Sequence, residues 1–124
     1  MNAAFRRGEA FTRLENYSSV IVLYLTLISI FPDSPDQNHW RKELDAFKGV
    51  LRRYNSAKSK SGTNFTKEDI VRALSEEIDD AEKKDYLAND IIGTQKGLAI
   101  DSHAIDWMKL DGMIAAFAAS VVAA

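Results

Sequence analysis

The run from Val20 to Phe31, VIVLYLTLISIF, lies inside a charge-free stretch from Asn16 to Pro32 and stops at Pro32-Asp33-Ser34-Pro35. At helical spacing it is apolar on every side, whereas a surface helix needs only one apolar stripe. Such a helix has to be enclosed by other protein, so the chain is expected to form a compact helical bundle. Two heptad-spaced seams lie side by side on a first segment from about Ala3 to Phe31. One is Phe11, Leu14, Ser18, Ile21, Leu25 and Ile28; the other is Tyr17, Val20, Tyr24, Leu27 and Phe31. The polar residues between them, Ser19, Thr26 and Ser29, carry short hydroxyls that can bond to preceding carbonyls of their own helix and so tolerate burial.

A membrane reading fails on length and flanks. The apolar run has twelve residues, against the roughly 20 that span a bilayer. Glu9 and Glu15 sit among Arg6, Arg7 and Arg13, and no small-residue cleavage site follows. A buried helix is expected here, with no signal peptide, anchor or membrane partner.

Three further helical segments follow. Pro32 to Asn38 reads as a loop, because proline disfavours helical geometry in the residue before it. From about Gln37 to Ala57, Trp40, Leu44, Phe47, Leu51 and Tyr54 share one face, while Arg41, Lys42, Lys48, Arg52 and Arg53 occupy the other with Asp45. After a polar loop over Ser56 to Asn64, Thr66 and Asp69 have capping-box spacing, and Phe65 is placed to staple onto Ile70. Ile70, Val71, Leu74, Ile78 and Ala81 then hold one face. Asp85 falls on that face too, which predicts a break or kink near Lys84 to Tyr86 and a short helix from Tyr86 to Ile92, ending at Gly93. The last segment is expected to start with Asp101 or Ser102 as cap. Trp107, Leu110, Ile114, Phe117 and Val121 form its apolar face, and Gly112, Ala116 and Ser120 repeat every four residues on the reverse. Small residues at that spacing allow a close helix approach.

Composition narrows the function classes. With 124 residues, 46% hydrophobic and 27% charged, positions 1–124 are expected to form a single helical-bundle domain. Cysteine is absent, which removes disulfides, thiolate nucleophiles and Cys-based zinc sites and fits a cytoplasmic home. Residues 1 to 60 carry ten Lys/Arg against six Asp/Glu, and residues 61 to 124 carry six against twelve. The halves are therefore +4 and −6, a polarity suited to docking between the halves or to a partner that reads one face.

Each pattern that hints at chemistry has a plainer account beside it. Glu76 with Asp79, and Glu77 with Asp80, place two carboxylates on one helical face, as hard-cation sites in bundles require. This patch resembles half of the magnesium site of helical nucleotide pyrophosphatases, which would imply a magnesium-dependent hydrolase. The second half is missing, since Asp101, Asp106 and Asp111 recur every five residues and rotate around their helix. Asp79 with Lys83 and Asp80 with Lys84 are acid-before-base pairs worth a few tenths of a kcal/mol, so a solvated face accounts for the acids. His39 to Lys42 has an H-x-x-K spacing similar to that of histidine phosphotransfer domains, but His39 falls at a helix start and no glycine follows Lys42. His103 and Asp106 read as a helix-end contact. Lys60-Ser61-Gly62-Thr63 lacks the strand and second glycine of a phosphate loop.

The sequence therefore points to an all-α bundle of four main helices, the third broken or kinked near Lys84 to Tyr86. No catalytic, metal or cofactor-binding residue is singled out, and no cofactor is expected. The expected function is a small non-catalytic protein-binding module, a regulator, adaptor or inhibitor of a partner protein, which also self-associates as a homodimer. The dimer interface is assigned to Tyr24, Leu27, Phe31, Gly112, Ala116 and Ser120, and a partner-binding basic face to Arg41, Lys48, Arg52 and Arg53. Nucleic-acid binding through that basic face is the alternative, and the magnesium-dependent hydrolase using Glu76 to Asp80 a third.

Overall fold

The computed structural model describes residues 3–58, 65–79, 81–94 and 102–122. Among them there are five α-helices and no strand: α1 (Ala3–Ile30), α2 (Gln37–Lys58), α3 (Lys67–Asp79), α4 (Ala81–Thr94) and α5 (Trp107–Val122), with a 3-10 turn at Ser102–Ala104. None of the described helices is long and apolar enough to cross a membrane. Of the residues named above, Lys60, Ser61, Gly62, Thr63, Asn64, Asp80, Asp101 and the side chains of Ala3, Arg6, Arg7, Glu9, Phe11, Arg13, Lys58, Ala81, Lys83 and Ser102 lie outside what is described.

The enclosure demanded by the apolar run is met in part within one chain. α1 touches all four other helices. Leu14, Ser18, Ile21, Leu25 and Ile28 are all buried, so the first seam faces inward. The second seam is covered in part: Leu27 is fully buried, Tyr17, Tyr24 and Phe31 are half-buried, and Val20 is 37% exposed. Thr26 is fully buried and donates its hydroxyl to the Val22 carbonyl at 2.7 Å, the self-satisfaction that makes a buried threonine tolerable. Each large aliphatic side chain taken out of water here contributes about 1.5 to 3 kcal/mol.

α2 returns antiparallel along α1. The order of contacts shows it, with Tyr17 and Tyr24 against Phe47 (ring centroids 5.1 and 6.4 Å apart) and Phe31 against Trp40 (6.5 Å). Gln37 fixes the turn. Its Nε2 donates to the carbonyls of Ile28 (3.1 Å) and Phe31 (2.8 Å), groups left without a helical partner where Pro32 stops the helix. The capping box at the start of α3 is reciprocal: Asp69 N donates to Thr66 Oγ1 and Thr66 N to Asp69 Oδ2, both at 3.1 Å. Phe65 and Ile70 are both buried, as the staple requires.

Two features depart from the expectation. The third segment is two separate helices, α3 ending at Asp79 and α4 beginning at Ala81, instead of one helix broken near Lys84 to Tyr86, so the described residues hold five helices where four main ones are expected. Helical phase gives the reason. Ile70, Leu74 and Ile78 are buried on α3, and Leu87, Ala88 and Ile91 on α4. Leu87 follows Ile78 by nine residues, about 180° around a continuous helix at 3.6 residues per turn. An unbroken helix would therefore point one of the two apolar sets at water. The other departure is the cap of α5. Asp106 takes that role, its carboxylate accepting from Lys109 N at 3.1 Å and its carbonyl from Leu110 N at 3.0 Å. Neither Asp101 nor Ser102 begins the helix, because the 3-10 turn and buried Ile105 intervene.

Candidate interaction surfaces

The outer face of α2 carries the basic residues that the spacing placed there. Arg41, Lys42, Arg52 and Arg53 are exposed, and Lys48 is half-buried. Not all of this charge is idle. Lys48 pairs with Asp45 at 3.2 Å, and Arg41 donates to Gln37 Oε1 at 3.2 Å. Arg52 reaches out of its own helix: its Nε donates to the Ser120 carbonyl at 2.7 Å, and its Nη2 donates to the same oxygen. Ser120 lies in the last turn of α5, where carbonyls lack helical partners and the helix dipole is negative, so a guanidinium there stabilises the end. The ion pairs Lys48–Asp45 and Arg72–Asp69 each join positions three apart in one helix.

No protein-family model, no curated protein and no solved structure matches the chain. Its surfaces are therefore read from their own chemistry.

The outward side of α5 is the second candidate surface. Met108 is 86% exposed, Gly112 and Ala116 are exposed, and Ala115 and Ala119 are half-buried beside them. A Cβ built on Gly112 would meet nothing within 4 Å. The residues assigned to a dimer interface differ in exposure. Leu27 is fully buried in the chain's own core and has no area to give a second copy. Tyr24 and Phe31 pack on Phe47 and Trp40 of α2. Ser120 is half-buried, its hydroxyl donating to the Phe117 carbonyl at 2.6 Å. Gly112 and Ala116 are the exposed members of the set.

The acidic patch is tied into the fold. Glu77 turns toward α1, where its Oε1 lies 3.1 Å from Ser18 Oγ and its Oε2 accepts from Ser19 Oγ at 2.9 Å. Ser18 Oγ is also 2.8 Å from the Glu15 carbonyl, so its single proton is shared. Glu76 and Asp79 are placed along the same helix, and no group of three or more His, Asp or Glu suited to a metal occurs among the described residues. His39 and Lys42 are exposed at the start of α2. Asp106 uses its carboxylate on the helix cap, and His103 sits exposed in the preceding turn.

Four residues that hold the helices together are not singled out for those roles by spacing: Gln37, Glu77, Arg52 and Asn55. Asn55 is buried at the end of α2 and accepts the Phe65 amide at 3.2 Å, linking α2 to the start of α3. A buried asparagine on a face shared with Leu51 is the one such signal visible in advance, because a buried amide needs a partner.

Proposed function

We propose that this protein is a small non-catalytic protein-binding module that docks an acidic partner through the outer face of α2. The supporting observation is the exposure of Arg41, Lys42, Arg52 and Arg53 on one helical face. Opposed charge of this kind raises association rates and excludes wrong partners more than it adds raw affinity. The alternative occupant, nucleic acid, would be attracted by the same charges with a steep salt dependence. Arg52 is already committed to the end of α5, and Lys48 to Asp45, which leaves fewer free cations for a phosphate backbone.

Purification of the tagged chain from its native host, beside an Arg41→Glu/Arg53→Glu variant, tests the reading. A protein that accompanies the parent after nuclease treatment and is lost from the variant supports it. Nucleic acid in its place, or a partner retained by the variant, overturns it.

A second reading, self-association as a homodimer, rests on the outward side of α5. Met108, Gly112 and Ala116 present an apolar strip with little steric relief. Light scattering across a concentration series tests this. A parent that dimerises and an Ala116→Glu variant that stays monomeric and folded would support it, whereas a parent monomeric at high micromolar concentration would end it.

A further inference from the structure

We propose that Met108 is a site of selective oxidation by peroxides, at which the outward side of α5 gains a polar group without loss of the fold. Met108 lies in the first turn of α5 and is 86% exposed, while Met113, five residues on in the same helix, packs against the core. Thioether oxidation needs direct approach of the oxidant to sulfur, so exposure sets the order within one chain. A sulfur lone pair attacks the terminal oxygen of hydrogen peroxide and the O–O bond breaks. The sulfur keeps one oxygen as sulfoxide, and the other leaves as water after proton transfer. Methionine is the electron donor in this two-electron step, and peroxide the acceptor.

The position makes the modification one of surface chemistry. Sulfoxide converts a flexible apolar side chain into a polar one, which disrupts a core but costs little in water. Along the exposed strip the apolar neighbours are Gly112, Ala115, Ala116 and Ala119, all smaller than Met108. Oxidation there removes the largest apolar contribution to the strip. Any effect on self-association rests on the α5 reading above; the site itself does not.

The chain's lysines make the test direct, because cleavage after Lys96 and Lys109 puts Met108 and Met113 on different peptides. The full-length protein is treated with limiting hydrogen peroxide, digested after quenching, and followed by tandem mass spectrometry, which also separates oxidation of Met108 from that of Trp107. The expected result is Met108 sulfoxide forming at least several-fold faster than Met113 sulfoxide, with the ratio collapsing toward one in strong urea. The melting temperature should be unchanged once Met108 alone is oxidised. Met108→Leu should abolish the fast phase and leave Met113 at its own rate. Comparable rates for Met108 and Met113 in the folded chain, first oxidation at Trp107, or unfolding on oxidation of Met108 would each overturn the proposal. A chain monomeric both before and after oxidation would count against self-association alone.

Discussion

Arg52 on α2 donates to the main-chain carbonyl of Ser120 on α5, with Nε at 2.7 Å, across 68 positions of sequence. The bond joins the outer face of one helix to the last turn of another, and it makes a surface arginine part of the fold. Arg52→Ala should lower stability by about 1 kcal/mol, the scale of one hydrogen bond from a charged donor at an exposed helix end. Arg52→Lys should recover part of that loss, since an ammonium lacks the planar fork. Urea unfolding of the three proteins gives the comparison. An unchanged midpoint for Arg52→Ala would show the contact to be energetically idle.

Glu77 gives a second prediction, in which structure and metal chemistry part ways. Its carboxylate is the acceptor for Ser18 and Ser19. Glu77→Ala should cost roughly 1 to 2 kcal/mol, because it removes a charged acceptor and leaves the half-satisfied Ser18 hydroxyl at a helix interface. Millimolar magnesium or manganese should leave the melting temperature of the parent where it is, and Glu76→Ala/Asp80→Ala should behave alike. A rise of several degrees with metal, absent from that double variant, would establish a binding site selective for the folded state.

The alkaline limb of stability should carry the mark of Tyr24. Burial, and secondarily the nearby Glu43 charge, raise its phenol above the ordinary 10.0. The folded chain then holds the phenolic proton more tightly than the unfolded chain does. Its contribution is present in full below about pH 10 and is lost as pH climbs through the higher folded-state value. Tyr24→Phe cannot ionise. Between about pH 9 and 11 the variant should therefore differ from the parent in how stability changes with pH, because the parent's unfolded chain releases a proton that its folded chain retains, measured by urea unfolding at each pH. Parallel curves would mean that Tyr24 titrates as it does in the unfolded chain.

These interactions mark where the sequence can be read and where it cannot. Thr66, Asp69, Phe65 and Ile70 are legible because a capping box closes within one turn, so spacing alone specifies the partners. The inward seam Leu14, Ser18, Ile21, Leu25 and Ile28 is legible for the same reason, its period being that of the helix. The break between Ile78 and Leu87 is present as a change of phase, but the acidic Asp85 points to the wrong position for it. Glu77 and Arg52 look like solvated charges, since their partners lie 58 to 68 residues away and only the packing of helices brings them together. Leu27 lies on the seam that spacing assigns to an interface, yet it is fully buried within its own chain.

The open space around Gly112 yields the last prediction and separates the two accounts of α5. Glycine inside a helix is less favourable than alanine by about 0.5 to 1 kcal/mol, through the freedom it has to lose on folding. A methyl added at Gly112 meets nothing within 4 Å in the single chain. If that side of α5 faces water, Gly112→Ala should stabilise the protein by up to about 1 kcal/mol at every concentration. If a second copy packs closely over Gly112 and Ala116, the same methyl intrudes between two backbones. Gly112→Ala would then weaken the assembly while still stabilising the protomer, and its effect would reverse sign as concentration rises. Thermal unfolding of parent and variant at low and high micromolar concentration measures both terms. A destabilised variant at low concentration, where only protomers are present, would contradict the open environment of Gly112 itself.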